Sequence, residues 1–454
     1  MITLGNKNDL FLDDYLIDNQ KNIILDQNMP TRNGSVLTLD KPWEGCYCAY
    51  HTVIQHPRTG QIYLYYRATD LRMEGHEYTC LAISNDDGKT FERIKMECVN
   101  NGLNNAILMD CPPTHNFAPF YDSNPDCPKS EKFKALGFAM DLQYDPALMA
   151  FYSADGIHWK TYDKPYVLKW EHSPFDSLNT PFWDPNDKKY KCYARFYIKT
   201  EDQKKMVVEK KNLRDPDVGI RAIQCFESED FLNWTEPTLN TYNGGNKADF
   251  HYYTNSTRPV PDATHQYVAF PMRFVEERKK VADYPQTGVS DCVMLTSRDG
   301  HDWKTYGKRP WIYPRNVKEC WTQRNHITSA GIVVSADEYS LYVFENYGWK
   351  NIPPEIVRYS VPKMRLGYAY SEDGSFLTKP FKLEGNRLTF NYNTSAVGTM
   401  FVDVTDENGK PIDGYSFEIY GNEFDYPIDL TELKGKTLRL SIKLQDAYLY
   451  SIGY

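Results

Sequence analysis

Ser153-Ala154-Asp155-Gly156-Ile157-His158-Trp159 and Ser297-Arg298-Asp299-Gly300-His301-Asp302-Trp303 share one pattern, S-x-D-G-x-x-W. Two looser copies are Ser84-Asn85-Asp86-Asp87-Gly88-Lys89-Thr90-Phe91, one residue longer, and Ser228-Glu229-Asp230-Phe231-Leu232-Asn233-Trp234, with Phe in place of Gly. The serines are 69, 75 and 69 residues apart (153−84, 228−153, 297−228). A regular period of that length marks a repeat architecture, and it fits a four-stranded blade with long loops. Each copy follows a β-rich run, at 78–83, 148–152, 221–226 and 292–296. The Asp-Gly centre is a turn signal, because Gly accepts positive φ and Asp can bond its own backbone. The aromatic residue after the turn can pack back on the hairpin. One hairpin cannot bury its face alone, so the copies must stack.

Outward from the phrase, the spacing predicts five blades. Blade one has strands at 49–54 and 62–67, blade two at 114–122 and 133–139, and blade three at 179–184 and 190–196. Blade four has strands at 249–255 and 267–274, and a fifth blade without the phrase follows at 324–332 and 340–347. From about residue 358 the texture changes to short alternating strands with turns at Asp406-Glu407-Asn408-Gly409 and Asp413-Gly414. That spacing suggests a β-sandwich. The expectation is therefore an all-β chain, with a five-bladed β-propeller over 1–358 followed by a C-terminal β-sandwich over 359–454. The strand-like segment 9–18 precedes the first repeat, and we expect it to complete the last blade. Two charged stretches, 199–217 and 276–283, read as solvated loops, with an oligomer contact as the sharper reading.

The composition agrees. The chain has 454 residues, 15% of them aromatic with 35 tyrosines, and these are strand formers. A net charge of −9 argues against a nucleic-acid or anionic-membrane partner. No run reaches 18 apolar residues, so no membrane helix is expected. The ten cysteines form no C-x-x-C pair and read as reduced thiols. The opening residues lack the basic-then-apolar form of a leader, which points to a cytoplasmic protein, or to a secreted one whose leader is gone. With no H-x-x-x-H and no cysteine cluster, neither a metal nor a cofactor is expected.

A five-bladed propeller followed by a C-terminal sandwich resembles the furanosidase-type glycoside hydrolases, and Leu64-Tyr65-Tyr66-Arg67-Ala68 leading to Leu81-Ala82-Ile83-Ser84-Asn85-Asp86-Asp87-Gly88 looks especially like their mannoside-phosphorylase group. These hydrolases are the invertase and levanase group with its arabinanase and mannoside-phosphorylase relatives. The phrase itself also resembles the Asp-box of sialidases. The resemblance implies a carbohydrate substrate and chemistry on a glycosidic bond. The invertase signature Asn-Asp-Pro-Asn-Gly is absent, so the family's catalytic residues are not carried over.

In such a ring the first strand of each blade lines the channel. Those strands carry His51, His115, Asn116, Asn179, His251, Arg324 and His326, which are polar residues suited to a sugar. Three arginines, Arg67, Arg195 and Arg273, end second strands; converging, they imply an anionic sugar or phosphate. Glycosidic cleavage needs two carboxyl groups. The candidates are Glu44, Asp249 and Glu345, with Asp122 and Asp184 next. The expectation is a glycoside hydrolase that cleaves in the channel mouth with a pair of these carboxylates, acting on a sugar that the arginines suit if anionic; a phosphorylase and a sugar-binding propeller without catalysis are the alternatives.

Overall fold

The computed structural model describes residues 2–69, 75–96, 98–99, 105–143, 145–169, 175–198, 219–244 and 250–454. Among them every regular element is a strand or a short 3-10 turn, as the aromatic-rich composition predicts.

The sheets fall into successive antiparallel groups. The first contains Ala49–Gln55, Ile62–Thr69 and Glu77–Ser84, with Glu92–Arg93 and Ala106–Met109 at its outer edge. The second is Ala118–Tyr121, Phe133–Met140, Pro146–Ser153 and Lys160–Lys169. The third is Thr180–Asp184, Lys189–Ile198, Ile220–Ser228 and Thr238–Leu239. The fourth is split into an upper half, His251–Tyr252 with Met272–Val275 and Val289–Cys292, and a lower half built on Ala263–Ala269. Pro271 lies at the break, where it has no N–H to give the ladder. Phe270 N to Asn255 O and Val293 N to Pro271 O tie the halves together. The fifth is Ile327–Thr328 and Val333–Val334 on Glu338–Glu345, then Glu355–Pro362 and, outermost, Thr31–Thr38.

The innermost strands meet. Ala49–Gln55 touches both Ala118–Tyr121 and the inner strands of the fifth sheet, through a parallel bridge between Thr52 and Ala330. A cavity of ≈ 300 Å³ at their far ends is lined by Gln55, Tyr121, Trp183, Pro259 and Ile332, one from each of the five groups.

The S-x-D-G phrase folds alike in each copy. Ser153 Oγ accepts the Gly156 N–H at 2.9 Å, and Asp155 Oδ1 accepts from Ile157 and His158 at 2.8 and 2.9 Å. The same bonds recur at Ser228–Asp230 and Ser297–Asp299. Three of the four phrases are also gripped by the preceding sheet. Tyr65 donates to Gly156 O, Tyr193 to Gly300 O and Tyr342 to Gly88 O, so the fifth sheet reaches the first. Trp303 is wholly buried, edge-on to Tyr193 at 6.1 Å, and Trp159 packs on Phe117 at 4.9 Å.

The segment 9–18 does not complete the fifth sheet. Asp9–Leu10 pairs with Thr437–Gly453, and Ile17–Lys21 pairs with Gly374–Thr378. Thr31–Thr38 takes the outer place instead, against Glu355–Pro362. Residues 2–27 thus join the C-terminal sheet, whose eleven strands enclose one core of Leu4, Phe11, Phe381, Leu388, Phe390, Val402 and Leu440. A cut at 358 ignores this, because the short N-terminal strands carry no phrase that would mark their allegiance.

Candidate functional site

The inner strands start together at the end opposite the ≈ 300 Å³ cavity. Part of the chain's backbone strain lies there. Tyr50, Phe175, Arg324 and His326 hold φ of 49°, 56°, 58° and 63°, a region costly for side chains with a Cβ. Asn116 and Asn179 fix one such turn, both donating to the carbonyls of Phe175 and Ser177. These two predicted sugar ligands are therefore braces.

Several other predicted ligands are also braces. His51 is buried with Nε2 on Tyr342 O at 2.7 Å, and burial lowers its pKa to about 4, so the ring is neutral. His326 is buried on Ser290 O, its pKa lowered by burial too. His251 contacts Arg221 at 3.3 Å, and His115 lies between Arg67 at 3.3 Å and Glu77 at 3.1 Å.

The arginines do converge, though not the three foreseen. Arg67 caps the Tyr50 ring at 4.9 Å and donates to Tyr47 O. Arg195, Arg221 and Arg324 surround the Tyr253 ring at 4.8, 4.9 and 5.8 Å. Arg195 and Arg324 also act on Tyr50, so the two rings share one cationic environment. Arg195 further bonds Asp176, a carboxylate 45% exposed. Arg273 is elsewhere. It forks onto Asp291 at 2.8 and 2.5 Å and lines a separate cavity of ≈ 370 Å³ with Phe250, Tyr313 and Trp321.

Arg221 and Tyr253 were missed, and a signal for Arg221 exists. Arg195 pairs with Ile223 and Tyr197 with Arg221, so the two arginines are diagonal neighbours on one face of sheet three.

The tyrosines respond in opposite directions. Burial raises the Tyr50 phenol, helped by Tyr253. Burial also pushes Tyr253 up, but Arg324, Arg195 and Arg221 outweigh it and hold the phenol below its ordinary value.

Two of the foreseen carboxylates are consumed by structure. Glu44 is fully buried, forked by Arg93 at 2.7 and 2.8 Å, with Tyr66 donating at 2.6 Å. Glu345 is fully buried between Arg32, Arg315 and Tyr359, at 3.1, 2.8 and 2.9 Å. Burial raises its pKa, but Arg32, His326 and Arg315 bring it below the usual value. Asp122 and Asp184 are likewise buried, each on a lysine and on a tyrosine of the next sheet: Lys134 with Tyr190, and Lys191 with Tyr267. Asp249 lies outside the described residues. Among the described residues no group of three or more metal-ligating side chains occurs.

No known sequence family matches the chain. No curated protein sequence matches it either. Solved structures do resemble it in the course of the chain. One described as a glycoside hydrolase shares 11% identity, covering 74% of this chain and 92% of its own, with a TM-score of 0.48. Beta-1,2-mannobiose phosphorylase from Listeria innocua, bound to beta-1,2-mannobiose, shares 12% over 75% of this chain and 97% of its own, with a TM-score of 0.45. An N-acetylgalactosamine deacetylase from F. plautii, bound to blood group B trisaccharide, shares 14% over 92% of this chain and 95% of its own, with a TM-score of 0.44.

Proposed function

We propose that the five sheet groups are blades of one ring, and that its mouth binds and cleaves a saccharide carrying an anionic group, as a glycoside hydrolase. One observation carries this reading: Arg67, Arg195, Arg221 and Arg324, from the first, third and fifth sheets, gather around the Tyr50 and Tyr253 rings. Guanidinium forks match a carboxylate, and aromatic rings offer flat faces to a sugar. Gathering four cations in a largely buried site costs desolvation and mutual repulsion, which a bound anion offsets. Asp176 on Arg195 and Glu276 on Arg221 are the partly open carboxylates there, and Asp176, the more exposed, is placed to assist proton transfer.

The same forks accept phosphate, so phosphorolysis is the second reading. A panel of 4-nitrophenyl glycosides, neutral and uronic, assayed with and without inorganic phosphate, separates the two. Selective, phosphate-independent turnover of uronides supports hydrolysis. Phosphate-dependent turnover of neutral glycosides supports phosphorolysis. Arg221→Gln should weaken uronide binding about tenfold to a hundredfold, the loss of one charged hydrogen-bonding group, and leave neutral-sugar binding unchanged. Equal turnover of both classes, insensitive to Arg221→Gln, would remove the anionic reading.

A further inference from the structure

We infer that the ≈ 300 Å³ cavity at the far ends of the inner strands is a second binding site, one that takes a small aromatic carboxylate with its anionic group on Arg258. This site stands apart from the arginine cluster around Tyr50 and Tyr253, and it does not depend on the function proposed above.

Arg258 opens the short strand Arg258–Val260 in the lower half of sheet four and lines the cavity. Its Nη1 donates to Thr257 O at 2.9 Å, and the guanidinium lies over the Phe182 ring at 5.2 Å. Among the described residues no carboxylate pairs with Arg258, and none lines the cavity. Other arginines of the chain are provided for. Arg93 takes Glu44, Arg273 takes Asp291, Arg298 takes Asp9 and Asp13, and Arg358 takes Glu338. Arg365 has no carboxylate but finds Asn391 Oδ1 and two carbonyls. Burial pulls the Arg258 pKa down to about 10, so the group is still charged at neutral pH. An unpaired cation in such surroundings costs free energy, and a bound anion offsets that cost. A carboxylate matches the planar guanidinium fork, and its single charge balances the single cation.

The rest of the lining sets the body of the ligand. Phe120, Phe182 and Trp183 present aromatic faces, and Val53, Ile54 and Ile332 present aliphatic ones. Pro119, Pro185, Pro259 and Pro261 bring no N–H to the wall. Two of the polar side chains are already occupied. Gln55 is bonded to both the N–H and the C=O of Val334, and Thr264 to Asn186. A sugar would leave most of its hydroxyls unpaired here. A flat apolar ring packs on aromatic faces without that loss. The volume sits at the small end of ligand pockets, roughly 300–1,000 Å³, and suits one ring with its carboxylate.

Isothermal titration of the whole chain with 4-ethylbenzoate, 4-ethylbenzyl alcohol and acetate tests the inference. 4-Ethylbenzoate should bind once per chain, with Kd below about 1 mM for a ligand of that size. The alcohol lacks the charge and acetate lacks the ring, so each should bind at least about tenfold more weakly. Arg258→Met should weaken 4-ethylbenzoate by at least about tenfold. Arg258→Lys should weaken it less, because the charge stays and only the fork is lost. Without ligand, Arg258→Met should melt no lower than the wild type, since it removes an unpaired charge. Arg221→Gln, in the other arginine cluster, should leave the titration unchanged. Binding lost in Arg221→Gln and kept in Arg258→Met would put the ligand in that cluster. Acetate binding as tightly as 4-ethylbenzoate would reduce the cavity to a site for bare anions. A lowered melting temperature in Arg258→Met would assign the guanidinium to the fold. Any of these results, or no binding of 4-ethylbenzoate, would overturn the inference.

Discussion

At the scale of single residues, a buried carboxylate is spent on whatever cation shares its burial. Glu345 was legible in sequence as a charge inside a strand, which is costly unless used or paired. What was not legible is the pairing, because Arg32 lies 313 residues away and arrives on the outer strand Thr31–Thr38. Glu345→Gln should therefore act on stability. It leaves Arg32 and Arg315 around a neutral amide, at about 3 kcal/mol, the low end for a broken buried pair, because both arginines keep about a third of their side chains in solvent. Denaturant unfolding measures this, and folded Glu345→Gln protein should turn over at the wild-type rate. The phrase aspartates behave differently. Burial raises Asp86 and Asp155, but hydrogen bonds from Thr90 and Ser84, and from His158 and Ile157, outweigh it and set both at about 2. Their pKa values are depressed in the folded state. Their contribution is thus complete above the unfolded value of about 4, and it is lost as pH falls through about 2. Melting temperature should drop across that window, and less steeply in Asp155→Asn, whose starting stability is already lower.

Between residue and fold stands the hairpin, and here the sequence carries a code that only the structure makes readable. Tyr65 and Tyr193 occupy the same place in their sheets, opposite Leu81 and Cys225, three residues before the phrase serines. The equivalent in sheet two is Leu136, opposite Ala150. Sheet three, next around the ring, is the one whose phrase has Phe231 where the others have Gly. The exception explains itself. A tyrosine hydroxyl leaves no room for a Cβ, which at Gly156 would sit 2.6 Å from Tyr65 Oη and at Gly300 2.5 Å from Tyr193 Oη. A leucine leaves space, and Phe231 fills it, packed on Phe120 and Tyr190 at 5.6 and 5.3 Å. Gly156→Ala should destabilise by more than the roughly 1–2 kcal/mol of its left-handed backbone, with part of the loss recovered by Tyr65→Phe. Phe231→Ala should cost about 3–5 kcal/mol. Leu136→Tyr combined with Phe231→Gly should be less damaging than the sum of the two changes. A double-mutant cycle by denaturant unfolding gives the coupling, expected to exceed about 1 kcal/mol. Additive losses would mean that the tyrosine and the glycine are not one device.

For the molecule as a whole, the repeat period revealed a succession of like sheets and hid how the two ends of the chain meet. The change of texture near residue 358 has a counterpart at the other end that is silent, since Ile2–Leu4, Asp9–Leu10 and Ile17–Lys21 are too short to show a pattern. The chain starts in the C-terminal sheet, crosses to supply the outer strand Thr31–Thr38, runs through all five groups and returns. The crossing is fastened at sheet four. Gln266 exchanges two bonds with Leu10 at 2.9 Å, Tyr306 donates to Leu12 O at 2.7 Å and Trp311 to Asn28 O at 2.7 Å. Arg298, a residue inside the fourth phrase, forks onto Asp13 at 2.7 and 3.0 Å and also reaches Asp9 at 2.9 Å. Beneath lies a shared apolar core of Leu10, Leu12, Val260, Phe270, Trp311 and Leu366. Two units that share a core and a strand exchange should unfold together. The whole chain should give one calorimetric transition, with calorimetric and van't Hoff enthalpies equal. Arg298→Ala leaves Asp9, only 1% exposed, with His265 at 3.2 Å as its remaining partner, and should cost up to about 3 kcal/mol, lowering that single transition without splitting it. A fragment of residues 1–358 lacks the strands that cover Leu4, Phe11, Leu16 and Ile17, and should aggregate or remain unfolded. A fragment of 1–358 that folds and melts like the parent, or two separated transitions in Arg298→Ala, would mean that the ring is autonomous and the crossing only a tether.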